Sequence, residues 1–356
     1  ADLLDRAAPL RWNPSKSTGQ ILWTSRVALY RLSTLGVAYW LTGKEKYALR
    51  GIREMEAVAA FPHWNPDHFL DTAEMTLAFA IGLDWFRPLL REPEREMFQK
   101  ILVEKGLRPS LRKTRKNSWV SGRNNWTQVC HAGMTAGALA VYDAEPELAA
   151  TIIHRAVVNL PRVMDSSYGK GGSYPEGPTY WGYGTEFNMV LIALLEAATG
   201  GSFGLADHPG FRRTGEYITA MQTPTHSLYT YADSNSHEYL LTYAKLQWCG
   251  MFRRPDCFSL QARRNLERFC RERNPDPERM GERLLPLALF GLSESMLQSG
   301  GTAPKSYFSG NEDATPVAVH RSGSGDEAAY LAIKGGRPDV NHGHMDSGSF
   351  LFEAGG

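Results

Sequence analysis

Apolar residues return every three or four positions through most of the first 300 residues, the period of a helix that buries one face. Val27 to Leu41 is the clearest case: Val27, Leu29, Tyr30, Leu32, Leu35, Val37, Ala38 and Trp40 recur before Gly43 ends the pattern. Comparable stretches lie near 46–60, 70–90, 94–106, 126–143, 146–164, 184–199, 211–221, 236–252, 256–272 and 280–298, so eleven helices are predicted. Short turns such as Phe61-Pro62 and Arg273-Asn274-Pro275 join them, and neighbours connected in this way pair as antiparallel helical hairpins. No fixed-length repeat is visible, which argues against a regular solenoid.

The pattern changes at the linker-like Gly300-Gly301-Thr302-Ala303-Pro304. Beyond it come short β-type runs at 316–320 (PVAVH), 328–333 (AAYLAI) and 349–353 (SFLFE), with glycines between them. Three such strands do not close a stable sheet alone. The expected organisation is a helical domain over 1–300, then over 301–356 the start of an antiparallel β-domain whose remainder lies outside the sequence.

Composition agrees with a globular chain: of 356 residues, 42% are apolar, 22% charged and 11% aromatic. These values exclude a disordered, collagenous or disulfide-stapled class. No apolar run approaches the roughly 20 residues of a membrane span, so a soluble protein is expected. With 39 Lys+Arg against 38 Asp+Glu, no global field points to nucleic acid. Locally, Lys105, Arg108, Arg112, Lys113, Arg115, Lys116 and Arg123 fall in one stretch without an acidic residue. That stretch is either solvated surface or a cationic wall that guides an anionic polymer. Cys130, Cys249, Cys257 and Cys270 contain no CxxC pair and are too few for a disulfide scaffold.

Three segments concentrate unusual polar and aromatic residues. In 121–131, Arg123-Asn124-Asn125-Trp126 opens a predicted helix, where an asparagine serves as an N-cap or as a hydrogen-bonding floor for a sugar. His131, six residues on, reads as a core histidine. In 171–184 a glycine- and proline-rich loop carrying Glu176 feeds a helix that opens with Tyr180, Trp181 and Tyr183, aromatic side chains suited to sugar faces. In 341–350, alternation places His342, His344 and Asp346 on one face of an extended segment, and two imidazoles at i and i+2 supply half of a metal site. The polar loop 229–237 adds Asp233 as a structural or substrate contact.

NHGHMDSGSFLFEAGG resembles the signature at the start of the C-terminal sheet domain, and YPEGPTYWGYG and GRNNW the two toroid motifs, of the heparinase II/III-like polysaccharide lyases, a family that includes oligoalginate lyases. HRSGSGDEAAYLAIKGG is similar to the strands that precede the first of these. The resemblance implies an incomplete (α/α) toroid followed by an antiparallel β-sandwich-like domain, with the active site in the cleft between them. It also implies β-elimination on an anionic polysaccharide or oligosaccharide built on uronic acids, in a periplasmic or secreted protein. By the same resemblance Asn125 maps onto the amide that neutralises the uronate carboxylate. Tyr180 and His342 map onto the acid and base, with Tyr183 as an alternative phenol, and His344 onto a ligand of a structural zinc whose other ligands would lie beyond Gly356. Arg123, Asn124, Trp126, Glu176, Trp181, Tyr183 and Asp233 are the candidate substrate contacts. Where some members carry a histidine beside the toroid asparagine, this chain has Trp126, which shifts neutralisation toward Asn124, Asn125 and Arg123.

Elimination needs these residue types. The C5 proton of a uronate becomes acidic enough only when hydrogen bonds or positive charge neutralise the adjacent carboxylate, an oxyanion-hole role. A base then takes that proton and an acid protonates the oxygen leaving C4. Two other readings compete. An (α/α)-barrel glycoside hydrolase would pair Glu176 with Asp84 or Asp233, about 5–10 Å apart. A non-catalytic module would hold acidic glycans through its aromatics and the basic stretch. The choice among heparin or heparan sulfate, alginate, hyaluronan, chondroitin and glucuronan stays open at this level, as does the oligomeric state.

Overall fold

The computed structural model describes residues 1–225, 227–236, 242–254, 283–289, 303–323 and 325–356. Its helices are α1 (Asp2–Arg6), α2 (Leu22–Thr42), α3 (Glu45–Ala59), α4 (Phe69–Trp85), α5 (Glu92–Ile101), α6 (Asn125–Ala140), α7 (Pro146–Ser167), α8 (Gly177–Thr199), α9 (Thr214–Met221), α10 (Thr242–Met251) and α11 (Leu285–Ala288). Two kinds of burial sort the long ones into layers. In α4 every residue from Phe69 to Ala80 is buried, and α2, α6 and α8 are covered on nearly all sides. A helix apolar all round belongs in the interior. In α7 the buried set is a stripe, Ala149, Ile152, Ala156, Leu160, Val163 and Met164, the spacing of a helix with one face on the core. The inner helices pack in series, α2 on α4, α4 on α6, α6 on α8 and α8 on α10, while α11 touches both α10 and α2. Outside them lie α3 against α2 and α7 against α6. Gly133 makes the α4–α6 approach possible, because a Cβ there would lie 2.3 Å from the Ala73 carbonyl oxygen.

After residue 303 comes one antiparallel sheet of four strands in the order β1 (Ser306–Phe308), β2 (Val317–Arg321), β3 (Tyr330–Lys334) and β4 (Phe350–Glu353). Val319 pairs with Tyr307 on one side and Ala332 on the other, and Leu331 pairs with Phe352. The period of two puts Tyr307, Val317, Val319, Arg321, Tyr330, Ala332 and Lys334 on the buried face. Phe308, Leu331, Ile333, Phe350 and Phe352 are exposed. A sandwich would need a second sheet, whereas the described residues form a single one.

Most predicted helices coincide with observed ones to within a few residues, but three differences are instructive. The helix expected from 184 begins at Gly177, because Pro178 near its first turn starts a helix whose glycine and aromatic positions hide the period. β1 is too short at three residues to show an alternation. The segment 341–344 is not extended: it is a turn, with His342 at φ 58°. The predicted helix 256–272, most of 280–298, the boundary at 300/301, Cys257, Cys270 and His237 lie outside the described residues. Of the described residues, no helix is long and apolar enough to cross a membrane.

Candidate active site

The starts of four inner helices lie side by side at one end of the helical body. The Ile21 N–H, just before α2, donates to Asp71 Oδ2 in the first turn of α4 at 2.6 Å. The His68 ring, just before α4, meets the Trp126 ring of α6 with centroids 4.8 Å apart. Asn125, the first residue of α6, donates its N–H at 3.2 Å to Oε1 of Glu176, which immediately precedes α8, and its Nδ2 donates to Oε2. This end carries the positive poles of the helix dipoles, a setting that favours anions.

The sheet docks on the same side. Tyr307 Oη donates to the Gly171 carbonyl at 2.9 Å, Ser173 Oγ to Asp313 Oδ2 at 2.8 Å, and Tyr330 Oη to the Ala220 carbonyl at 3.0 Å. Arg321 donates to the Ala220 and Gln222 carbonyls. This docking carries the 341–346 turn onto the helix starts, and Asn341 Nδ2 donates to Glu176 Oε2 at 2.9 Å. Between the two parts opens a cleft of about 1140 Å³ whose lining includes Arg123, Asn124, Lys170, Glu176, Arg337 and Asn341.

Glu176 is the joint of this arrangement. It is buried, and its oxygens accept from the Asn125 backbone, the Asn125 amide and the Asn341 amide. Burial pushes its pKa up, against these N–H donors, which favour the charged form. Expected as a sugar contact, it lines the cleft and also acts as a clamp that ties the helical and sheet parts together. Asn125 is 1% exposed and its Oδ1 has no partner among the described residues. Asn124 is the residue that opens to the cleft: its Oδ1 caps α6 through the Trp126 N–H at 3.2 Å, and its Nδ2 has no partner among the described residues.

Beside the clamp stand the expected phenol and imidazole. The Tyr180 and His342 rings are stacked, with centroids 3.9 Å apart and planes inclined by 18°. His342 Nδ1 lies 2.6 Å from Asp233 Oδ2, and its Nε2 lies 4.0 Å from Glu176 Oε2. His344 Nε2 lies 2.7 Å from Asp233 Oδ1. Asp233 therefore receives both imidazoles, and these hydrogen bonds, His342 first, lower its pKa. Burial, then the charges of Asp233 and Glu176, push the Tyr180 phenol above its ordinary value. Lys334, on the buried face of the sheet, pairs with Asp346, which fixes the end of the turn.

Other expected residues fall elsewhere. Trp181 is fully buried and donates Nε1 to Thr214 Oγ1 at 2.7 Å, so it is a core residue and not a sugar platform. Tyr183 donates to Glu74 Oε1 at 2.7 Å within a polar cluster that includes Arg26 and Arg283. Its phenol is thereby engaged one helical turn from Tyr180. His131 is buried, bonded through Nε2 to the Val120 carbonyl, and desolvation lowers its pKa to about 3. Asp84 is exposed near the C-terminal end of α4, while the cluster sits at the N-terminal end, so it does not pair with Glu176. In the basic stretch Lys105 is tied to the Ala59 and Phe61 carbonyls, and Arg123 is the member that lines the cleft.

No three His, Cys, Asp or Glu side chains among the described residues are placed to hold a metal ion. His344 directs Nε2 to Asp233. The described residues do not by themselves make a zinc site, and no step below passes through one. Sequence reasoning singled out neither Asn341 nor the His68–Asp71 pair. The signal for the first was an amide beside the HxH segment. For the second it was a histidine and an aspartate three residues apart at a helix start.

No protein-family model matches the sequence, and no curated protein does. Solved structures do match its fold. One is the heparinase III BT4657 gene product, at a TM-score of 0.50, and another is the same product with methylated lysines, at 0.49. Each is 16% identical to this chain and covers 91% of it. The chain spans about half the length of these structures, 49%. The likeness is one of fold: a helical body followed by an antiparallel sheet, as in part of a heparinase III.

Proposed function

We propose that the protein is a polysaccharide lyase that cleaves a uronic-acid glycan by β-elimination. The observation that carries this reading is the Tyr180–His342 stack, a phenol from the helical part and an imidazole from the sheet part, set beside an amide-lined cleft. The three motifs that resemble the heparinase II/III-like lyases meet at this one place.

In the proposed step the uronate carboxylate lies against the Asn124 amide and Arg123, which offset its charge and that of the enolate-like species formed as C5 loses its proton. His342 is the base. With Nδ1–H held by Asp233, its Nε2 is the nitrogen free to take the C5 proton. The electron pair left on C5 forms the C4–C5 double bond as the C4–O bond breaks. Tyr180, kept protonated by burial and by the carboxylates around it, gives its proton to the departing oxygen. The products are one fragment with a new reducing end, which carries off the C4 oxygen, and a second that begins at its non-reducing end with a 4,5-unsaturated uronate.

The test is ultraviolet absorbance of the unsaturated uronate on a panel of heparan sulfate, alginate, hyaluronan, chondroitin and glucuronan. A rise on one member is expected, and Tyr180→Phe should lower kcat about 10²–10⁴-fold while still binding that polymer. Reducing ends without absorbance would replace elimination by hydrolysis. Saturable, salt-sensitive binding without either signal would make the protein a glycan-binding module.

A further inference from the structure

One histidine at the clustered helix starts has no part in the chemistry above. His68 occupies the position before α4, yet its side chain makes no capping bond to the helix. Its Nδ1 lies instead 2.5 Å from Asp71 Oδ1. Asp71 is fully buried and does not depend on the imidazole for its other oxygen, which accepts from Ile21 N–H at 2.6 Å and from Asn65 Nδ2 at 2.7 Å. Asn65 itself is held in the left-handed region at φ 53°, a conformation that non-glycine residues adopt at a cost, and it keeps the loop before α4 on the aspartate. A buried, fully ligated carboxylate thus fixes the imidazole's orientation. The result leaves Nε2 outward: the His68 side chain is 21% exposed and Nε2 has no partner among the described residues.

The surroundings of that nitrogen suit a sugar. The imidazole meets the half-buried Trp126 ring at 4.8 Å and 80°, an edge-to-face contact. Trp126 directly follows Asn125 of the Glu176 clamp, and its N–H is capped by Asn124, which lines the cleft. An indole beside an oriented imidazole offers an apolar plane for a pyranose face and a polar atom for a substituent at its edge. With Nδ1 directed at Asp71, protonation of Nε2 makes a charge-assisted donor suited to a carboxylate.

We propose that His68 is a substrate-binding residue, oriented by Asp71, that takes the carboxylate of a uronate unit whose ring lies on Trp126. The glycan class rests on the lyase reading; the recognition element does not otherwise need the Tyr180–His342 chemistry. Asp71 acts through His68 and is a positioning residue.

The experiment uses the panel member that the wild type cleaves fastest. His68→Ala and His68→Gln are each assayed for KM and kcat by the unsaturated-uronate absorbance. Oligosaccharides of the same polymer, native and carboxyl-reduced, are titrated calorimetrically into Tyr180→Phe with and without His68→Ala. The expected result is a fall of about tenfold or more in kcat/KM carried mainly by KM. The matching rise in Kd should appear for the native oligosaccharide and vanish for the carboxyl-reduced one. Asp71→Asn should raise KM in the same direction; if it does not fold, the His68 variants decide alone. An active His68→Ala enzyme with wild-type KM, or an equal loss of affinity for both oligosaccharides, overturns the inference and leaves the lyase reading standing. A wild type that cleaves no member of the panel overturns the lyase reading and this inference with it.

Discussion

Four buried carboxylates in the helical body are saturated with donors. Glu54 receives Leu10 N–H, Arg31 and Arg50; Asp71 receives Ile21 N–H, Asn65 and His68; Glu74 receives Arg26, Arg283 and Tyr183; Glu176 receives two asparagines. Glu186 on α8 is the contrast. It is buried near Glu74 and Arg283, and its hydrogen bond comes from the Ala244 backbone. Desolvation dominates and raises its pKa from 4.5 to about 8. A raised carboxyl pKa means the folded protein holds a proton that the unfolded chain has released. The stability that this proton confers is complete below pH 4.5 and is lost as pH rises toward 8, at up to ~1.4 kcal/mol per pH unit. Glu186→Gln, permanently neutral, should flatten that slope. Unfolding midpoints in denaturant measured between pH 5 and 8 check this, and parallel wild-type and variant profiles would refute it.

At the scale of elements, the inner helices are joined by polar ties in their second turns as well as by apolar packing. Glu74 on α4 gathers Arg26 of α2, Tyr183 of α8 and Arg283 of the stretch before α11, with N–O distances of 3.0 Å to Arg26 and 2.5 Å to Arg283. Removing the anion leaves two guanidiniums facing a site built for a carboxylate. Glu74→Ala should therefore destabilise the fold by about 3 kcal/mol, at the lower end for a buried pair because Arg26 is partly exposed. A lowered denaturation midpoint with an unchanged m-value is the expected measurement. This tie was invisible in the sequence, since nothing in a periodicity says which polar residue inside an apolar helix meets a partner 48 or 209 residues away. What the apolar pattern did reveal was the helices themselves, because a one-faced helix such as α7 repeats its buried positions every three or four residues and an inner helix such as α4 is buried nearly throughout. The strands after 303 were legible except for β1. The site was legible as three motifs, and Tyr180, His342 and Asp233 do come together. The polar roles inside it were not legible. Asn125 and Glu176 turned out to bond to each other, and Trp181, one residue from Tyr180, points into the core. Adjacent residues on a helix face directions about 100° apart, so a motif names neighbours in sequence without saying which of them share a face.

At the scale of the whole molecule, the site depends on how closely the sheet sits on the helical part. Asn341, His342 and His344 reach their partners because β1 and the loop beyond it rest on the 169–173 loop. Gly171 sets that distance. A Cβ there would lie 1.9 Å from the Ser309 carbonyl oxygen, and the obstructing atoms are backbone, which no rotamer change can move. Its φ is not in the left-handed region, so alanine suits the local backbone and the conflict is purely one of docking. Gly171→Ala should push the sheet away and cost about 1–3 kcal/mol, the range for overpacking a fitted interface. The consequence for the site is larger than that figure suggests. A displacement of about 1 Å between catalytic groups held on separate parts can cost about 10²-fold in rate. The expected outcome is a helical body that still unfolds near the wild-type midpoint, faster hydrogen exchange in β1 and β2, and a kcat reduced far more than stability. On the lyase reading, full turnover by Gly171→Ala would mean that the sheet does not position His342, and that the base of the proposed step has to be sought within the helical part.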